Sequence, residues 1–356
     1  MVDENHNLME DLNLVGESSF IQVDKLQGKT ILVTGATGLI GRNLVTALVY
    51  LNKLNQLDLR VIAQIRNPEK ARSIWGENCS DIKFVVGDVR HFLKIKEPID
   101  YIIHAASETS SKAFVSKPAE VLLTALVGTK NILELAKNKK VDSVVFLSTM
   151  EVYGFPEKGS RVSETSIGAF IPQNVRNCYP VGKIAAESLC SSYASEYGLP
   201  VKVLRLTQTF GKGVSYNDGR IFAYLARCAI EGKDIVLKTK GETERSYLYT
   251  MDAVTAILTV LLNGDSGEAY TAADEATYCS IADMARLIAS DNGIKVKFEI
   301  DKSNKSGFAD TLYMNLDTSK LMNLGWKTQV HKMKDKACHP ILDLYRLMID
   351  DMKTSR

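Results

Sequence analysis

The sequence predicts an α/β protein, a doubly wound parallel sheet followed by a smaller, mostly helical C-terminal portion. Two observations predict it. Short β-branched runs alternate with amphipathic segments of helical length as far as residue 206, and a glycine-rich turn joins the first run to the first helix. In order, the strands are expected at Thr30–Thr34, Arg60–Ile65, Ile82–Val86, Tyr101–Ala105 and Ser143–Leu147. Each is nearly continuous in apolar residues, as a strand buried on both faces must be. Between them, Leu39–Leu51 and Glu120–Lys137 read as helices. The second carries Val121, Leu122, Ala125, Thr129, Ile132, Leu133 and Ala136 at helical spacing. Val201–Leu206 reads as one further core strand. Beyond it helices become more frequent, near Ile221–Glu231, Asp252–Leu262 and Ile281–Ser290, and glycine turns crowd together. Residues 1–25 read as an N-terminal extension, either loosely ordered or a strap. In a sheet of this kind ligands bind at the carboxyl ends of the strands.

Composition bounds the function. The 356 residues are 45% apolar and 24% charged, within the range of globular proteins and far from disordered or collagen-like chains. Forty-four basic residues against 42 acidic ones give a formal charge of +2, so nothing drives the whole surface toward nucleic acid or an anionic membrane. Lys137, Lys139 and Lys140 form a short basic run, which a solvated helix end explains. Met1–Asp24 lacks the basic start and apolar run of a secretory signal. No stretch reaches the ~18 apolar residues of a membrane span. The six cysteines (79, 178, 190, 228, 279, 338) form no Cys-x-x-Cys pair, and the adjacent Cys338–His339 reads as chance. Reduced thiols, a cytoplasmic location and no metal site are the expectation.

Two motifs carry chemistry. Thr34-Gly35-Ala36-Thr37-Gly38-Leu39-Ile40-Gly41 follows a buried strand and opens a helix. Gly35 permits the tight turn, Gly38 lets the backbone approach a pyrophosphate, and Gly41 lets helix and strand pack closely, so a dinucleotide is expected here. After the second strand, where an NAD site usually carries an acid, the chain reads Gln64-Ile65-Arg66-Asn67. Arg66, with Arg42 as a second candidate cation, suits a 2′-phosphate and so favours NADP over NAD. A solvated charge accounts for Arg66 nearly as well. Asp88, in Gly87-Asp88-Val89, either brackets the adenine or makes a turn. The second motif is Tyr179…Lys183, one helical turn apart on a helix expected from Pro180. An ammonium beside a phenol favours phenolate and lowers the tyrosine pKa. Such a tyrosine can take a proton from a sugar hydroxyl as hydride leaves the same carbon. Thr149, at the end of the fifth strand, is placed to hydrogen-bond that oxygen.

The segments TGATGLIG (34–41), GDV (87–89), HAAS (104–107), LSTMEVYG (147–154), Tyr179-x-x-x-Lys183, RLTQTFG (205–211) and ERSYLYTMDAV (244–254) span most of the chain from residue 28. Together they resemble the extended short-chain dehydrogenase/reductases, in the group of NAD(P)-dependent nucleotide-sugar epimerases, dehydratases and decarboxylases. The resemblance implies a Rossmann-type nucleotide-binding domain at 26–206, which includes the Tyr/Lys helix, and a substrate-binding portion at 207–356. It implies a tightly held NAD or NADP that oxidises the sugar at C4. By position, Thr149, Tyr179 and Lys183 match the catalytic set, and Tyr179 and Lys183 also meet the cofactor. Residues 35–41 match the pyrophosphate turn, Asp88 and Val89 the adenine contacts, and Ala105 and Ala106 the floor under the nicotinamide ribose. Gln208 and Arg245 match the sugar-diphosphate contacts. Tyr247 and Asp252 read as structural, Asp252 as a helix cap.

Glu151 discriminates within the group. Resembling dehydratases carry Asp-Glu after the threonine, decarboxylases Ser-Glu, and plain 4-epimerases small residues. This chain has Met150-Glu151, which keeps the carboxylate and loses the adjacent proton donor. Arg176–Lys183 (RNCYPVGK) and Asn217-Asp218-Gly219-Arg220 resemble UDP-glucuronate decarboxylases, with Arg220 meeting the nucleotide diphosphate and Glu151 the sugar. The leading expectation is therefore C4 oxidation followed by decarboxylation. A 4-epimerase or 4-keto-sugar reductase competes, then a 4,6-dehydratase. A non-catalytic dinucleotide sensor is disfavoured because both Tyr179 and Lys183 are retained. The resemblance also implies a homodimer, packed through Glu120–Lys137 and Pro180–Tyr197.

Overall fold

A computed structural model describes residues 6–76, 80–166, 168–300, 311–330 and 339–354. Seven parallel strands form the central sheet, in the order Ala269–Ala272, Val201–Leu206, Ser143–Thr149, Tyr101–His104, Thr30–Thr34, Arg60–Ile65, Ile82–Val86. The order runs outward on both sides from Thr30–Thr34, so the crevice above that strand's carboxyl end is open for a ligand. Alternation along it feeds two cores: Ile31 and Val33 pack on one face, Leu32 on the other. Helices cover both faces. Leu39–Asn55, Ile221–Glu231, Thr250–Asn263 and Pro340–Thr354 contribute to the first core, Pro118–Lys139 and Cys178–Tyr197 to the second.

The helix expected at 120–137 starts earlier, at Pro118, whose fixed φ and missing N–H suit a first helical turn. The Tyr/Lys helix likewise begins at Cys178, so Tyr179 and Pro180 both lie in its first turn. The strand Ala269–Ala272 comes from beyond residue 207 and joins the central sheet, so the two portions of the chain interleave. Besides its helices, the later portion builds a small mixed sheet. There Glu244–Tyr249 runs antiparallel to Asp274–Ser280 and parallel to Tyr313–Leu316 and Gln208–Phe210.

The N-terminal segment is a strap. Helix His6–Gly16 packs on Leu39–Asn55 and Thr250–Asn263 and buries Leu12 and Val15. It also buries Asp11, which accepts from Tyr249 Oη at 2.7 Å and pairs with Lys212 Nζ at 3.2 Å. Asp252 is not a cap. It is the third residue of its helix and accepts from the backbone N–H of Gln329 (2.6 Å) and Val330 (3.4 Å), pinning a distant segment.

Among the described residues no helix is long and apolar enough to cross a membrane, and no three His, Cys, Asp or Glu side chains converge as a metal site would require. Cys178, Cys190, Cys228 and Cys279 are unpaired. Cys79 and Cys338, the cysteine of the Cys338–His339 couple, lie outside the described residues.

Candidate active site

The glycine turn is tight for identifiable reasons. Gly35 has φ +65°, and a Cβ on it would lie 2.7 Å from Ala106 Cα; a Cβ on Gly41 would lie 2.3 Å from Gly35 O. Gly38 differs, because a Cβ there meets only Gly35 O, at 3.3 Å, so its other side is open. Gly38 also precedes the first residue of helix Leu39–Asn55, whose opening N–H groups lack intrahelical partners. This cradle fits a pyrophosphate. Gln64 braces it, accepting from Gly35 N at 3.0 Å and donating to Gly87 O. Thr34 Oγ1 accepts from Ala106 N at 3.2 Å and shares a hydrogen bond with His104 Nδ1 at 2.8 Å, which fixes Ala105 and Ala106 beside the turn. Burial and the nearby Lys183 charge push His104 down to about 3, so it stays neutral.

Beyond strand Ile82–Val86, Val89 is buried against Gly128 and its carbonyl accepts from Asn131. Asp88 is held by Arg90 through Nε and Nη2 (3.2 and 2.9 Å), which keeps its carboxyl below the ordinary value. Arg66 is exposed at the end of its strand. Arg42 is not its companion. A Cβ on Gly213 would overlap the Arg42 guanidinium, and Asp351 supplies the opposing charge, so Arg42 points across its helix to the later portion of the chain.

On the neighbouring strand end, Thr149 Oγ1 accepts from Glu151 N at 3.3 Å and hydrogen-bonds the Tyr179 hydroxyl. The Tyr179 ring stacks on Phe114, centroids 4.6 Å apart at 11°. Lys183 Nζ lies 6.0 Å from the Tyr179 ring centre and donates to Leu147 O at 2.7 Å. The expected lowering of the phenol is reversed: burial and the Glu151 charge push Tyr179 well above the ordinary value, with the Thr149 hydrogen bond opposing. Lys183 itself is pushed down to about 8, mainly by burial. Desolvation penalises both charged forms, and at this separation the ammonium does not outweigh it.

Glu151 Oε2 lies 3.8 Å from Arg176 Nη1, and the Arg176 guanidinium sits 4.9 Å over the Phe114 ring. Desolvation raises the Glu151 carboxyl, against the charges of Arg176 and Arg245. Met150 points the other way, into a small core with Val152, Tyr153 and Leu316, where its sulfur accepts from Thr207 Oγ1. Arg245 has a buried Nε without a hydrogen-bond partner, a donor that a bound anion would satisfy. Arg220 is clasped by Asp218 (2.6–3.2 Å), packs 4.7 Å over Phe222, and still feels Tyr179 electrostatically. Gln208 lies opposite Tyr247 in the small sheet, half-buried. Thr149, Tyr179, Lys183 and Glu151 thus share one site with Arg245 and Arg220. Arg176 and Phe114 are additional. Arg176 lies in the 176–183 segment, three residues before Tyr179, which is the one local signal for it. Phe114 has none, because its helix, Ser111–Ser116, is a single short turn.

A glycine cradle that fits a pyrophosphate thus accompanies a buried tyrosine, lysine and threonine in one molecule. Residues 31–273 match the NAD dependent epimerase/dehydratase family, and the chain belongs to it. It is 33% identical over 261 residues to UDP-glucuronic acid decarboxylase 1 of Xenopus tropicalis, covering 73% of this chain and 59% of that protein. It is 29% identical over 323 residues to dTDP-D-glucose 4,6-dehydratase of Homo sapiens, covering 85% and 86%. The chain therefore spans little more than half the length of the Xenopus protein and 54% of its Danio rerio counterpart. Two solved structures show the same fold. One is a UDP-N-acetylglucosamine 4-epimerase from Methanobrevibacter ruminantium (TM-score 0.76, 18% identity, 93% of this chain and all of that one). The other is a dTDP-glucose 4,6-dehydratase from Streptomyces venezuelae with NAD bound (TM-score 0.74, 22% identity, 92% and 98%).

Proposed function

We propose that this chain is a nucleotide-sugar enzyme that oxidises a UDP-linked uronic acid at C4 and releases its carboxyl group as CO2. The observation that carries the reading is Glu151, a half-buried carboxylate 3.8 Å from Arg176 and within electrostatic reach of Arg245 and Tyr179. The decarboxylase relatives support it. A bound nicotinamide nucleotide supplies the hydride acceptor. Thr149 orients the C4 hydroxyl toward Tyr179, which takes the proton only as phenolate; burial and Glu151 disfavour that form, and the positive charge of a bound oxidised nicotinamide would favour it. Arg176 holds the sugar carboxylate, which at C4-ketone stage is a β-keto acid and departs with little acid assistance. Glu151, with its raised proton affinity, delivers a proton to the carbon left behind. Arg245 and Arg220 hold the diphosphate. Met150 favours a second reading, a uronate 4-epimerase that keeps the carboxylate, because it offers no hydroxyl to orient that group.

The chain acts as a homodimer in this reading, packed through Pro118–Lys139 and Cys178–Tyr197, where Leu123 and Ile184 are exposed. Its unpaired cysteines suit a reducing cytoplasm. The test is mass spectrometry after incubation with UDP-, GDP-, CDP- and dTDP-sugars. Loss of CO2 from UDP-glucuronate supports the reading, an epimer of unchanged mass supports the second, and loss of water overturns both. Tyr179→Phe is expected to end turnover and leave the nucleotide bound; turnover near wild type overturns the mechanism.

A further inference from the structure

We propose that the adenosine end of the nucleotide site is built for a 2′-phosphate, so that this chain takes NADP in preference to NAD and Arg66 selects it. The inference rests on the nicotinamide-nucleotide reading above.

Three strand ends meet at this corner. Gly87 N donates to Ile65 O at 3.0 Å, Ala36 N donates to Gln64 O at 3.2 Å, and Gln64 ties the glycine turn to Gly87. Arg66 is the first side chain beyond the middle strand, between the turn and Asp88. An NAD site needs a carboxylate here to accept the ribose hydroxyls. Residues 64–67 offer none, and their neutral acceptors are occupied. Gln64 is buried and uses both ends of its amide, Ile65 is core, and Asn67 Oδ1 accepts from Lys70 N at 3.1 Å. The carboxylate that feels Arg66, Asp88, is already bound by Arg90. Arg90 also feels Glu120, so its charge is met, whereas Arg66 makes no ion pair among the described residues and its positive charge is left over. A ribose diol leaves that positive excess unanswered. A 2′-phosphate answers it with charge-assisted, bidentate hydrogen bonds. Arg42, committed to Gly213 and Asp351, takes no part.

The test uses the full chain. Nucleotide retained through purification is released by denaturation and identified by mass, and NADPH and NADH are then titrated by nicotinamide fluorescence into stripped protein. NADPH is expected to bind about 10- to 100-fold more tightly. Arg66→Ala is expected to lose that advantage with NADH affinity unchanged, and Arg66→Asp to reverse the preference. Equal or tighter NADH binding by the wild type, or an intact preference in Arg66→Ala, overturns the proposal and leaves the nucleotide reading standing. Binding of neither nucleotide overturns both.

Discussion

Lys183→Met is expected to make the nucleotide-free protein more stable while ending its turnover. The ammonium is buried, and its pKa falls from 10.5 to about 8 in the folded chain. At 1.36 kcal/mol per pH unit, keeping that charge inside costs the folded state about 3 kcal/mol at neutral pH. Methionine fills similar space without the charge. It forfeits the hydrogen bond to Leu147 O, about 1 kcal/mol, so the net gain is about 2 kcal/mol. Glu187 is not orphaned, because Arg205 holds it at 2.7 Å. The sign with pH follows from the depressed value. Below about pH 8 lysine is charged in both states and the penalty is complete. Between there and 10.5 the unfolded chain binds more protons, so wild-type stability rises, and above 10.5 the penalty is gone. Denaturant unfolding of both proteins at pH 7 and pH 10 measures the difference. A variant less stable than wild type at pH 7, or an advantage that does not shrink with pH, would refute the reasoning. If the variant is instead the more stable, the lysine is kept for the reaction at a cost to the fold.

Other expectations concern the pocket. Glu151→Gln is expected to lower kcat about 100-fold or more without affecting nucleotide retention. Because burial raises the Glu151 carboxyl, the wild type holds that proton to higher pH than an ordinary glutamate, and turnover falls as pH rises through it; the variant loses this limb, and a pH–rate profile shows whether it does. Arg245→Met, which removes the unpartnered Nε, is expected to raise KM about 10-fold or more with a smaller effect on kcat, read from steady-state kinetics. Gly41→Ala forces a Cβ to within 2.3 Å of Gly35 O and is expected to cost about 2–4 kcal/mol and abolish nucleotide retention; a variant purified with its nucleotide would contradict the packing.

Much of the scaffold was legible because its signals are local. The sheet strands were marked by apolar runs, since a strand covered on both faces has few polar positions, and the glycine turn by backbone geometry that only glycine tolerates. The Tyr179–Lys183 spacing was legible too, because four residues on a helix is one turn. Arg176 and Phe114 were less accessible. Their place depends on a short helix and a loop folding over the catalytic tyrosine, and no periodicity encodes that.

The linear chain dictates the order of elements, the glycine turn and the identity of the groups at the strand ends. Each follows from chain-local sterics and hydrophobic periodicity. The tertiary structure alone decided that Arg42 turns toward Asp351, that Met150 faces a core, that Asp252 pins a remote segment and that residues 6–16 form a strap. It also decided the direction in which Tyr179 and Lys183 shift. These outcomes depend on which distant segments exclude water from a group and which charges they bring near it, and desolvation is a property of the assembled fold.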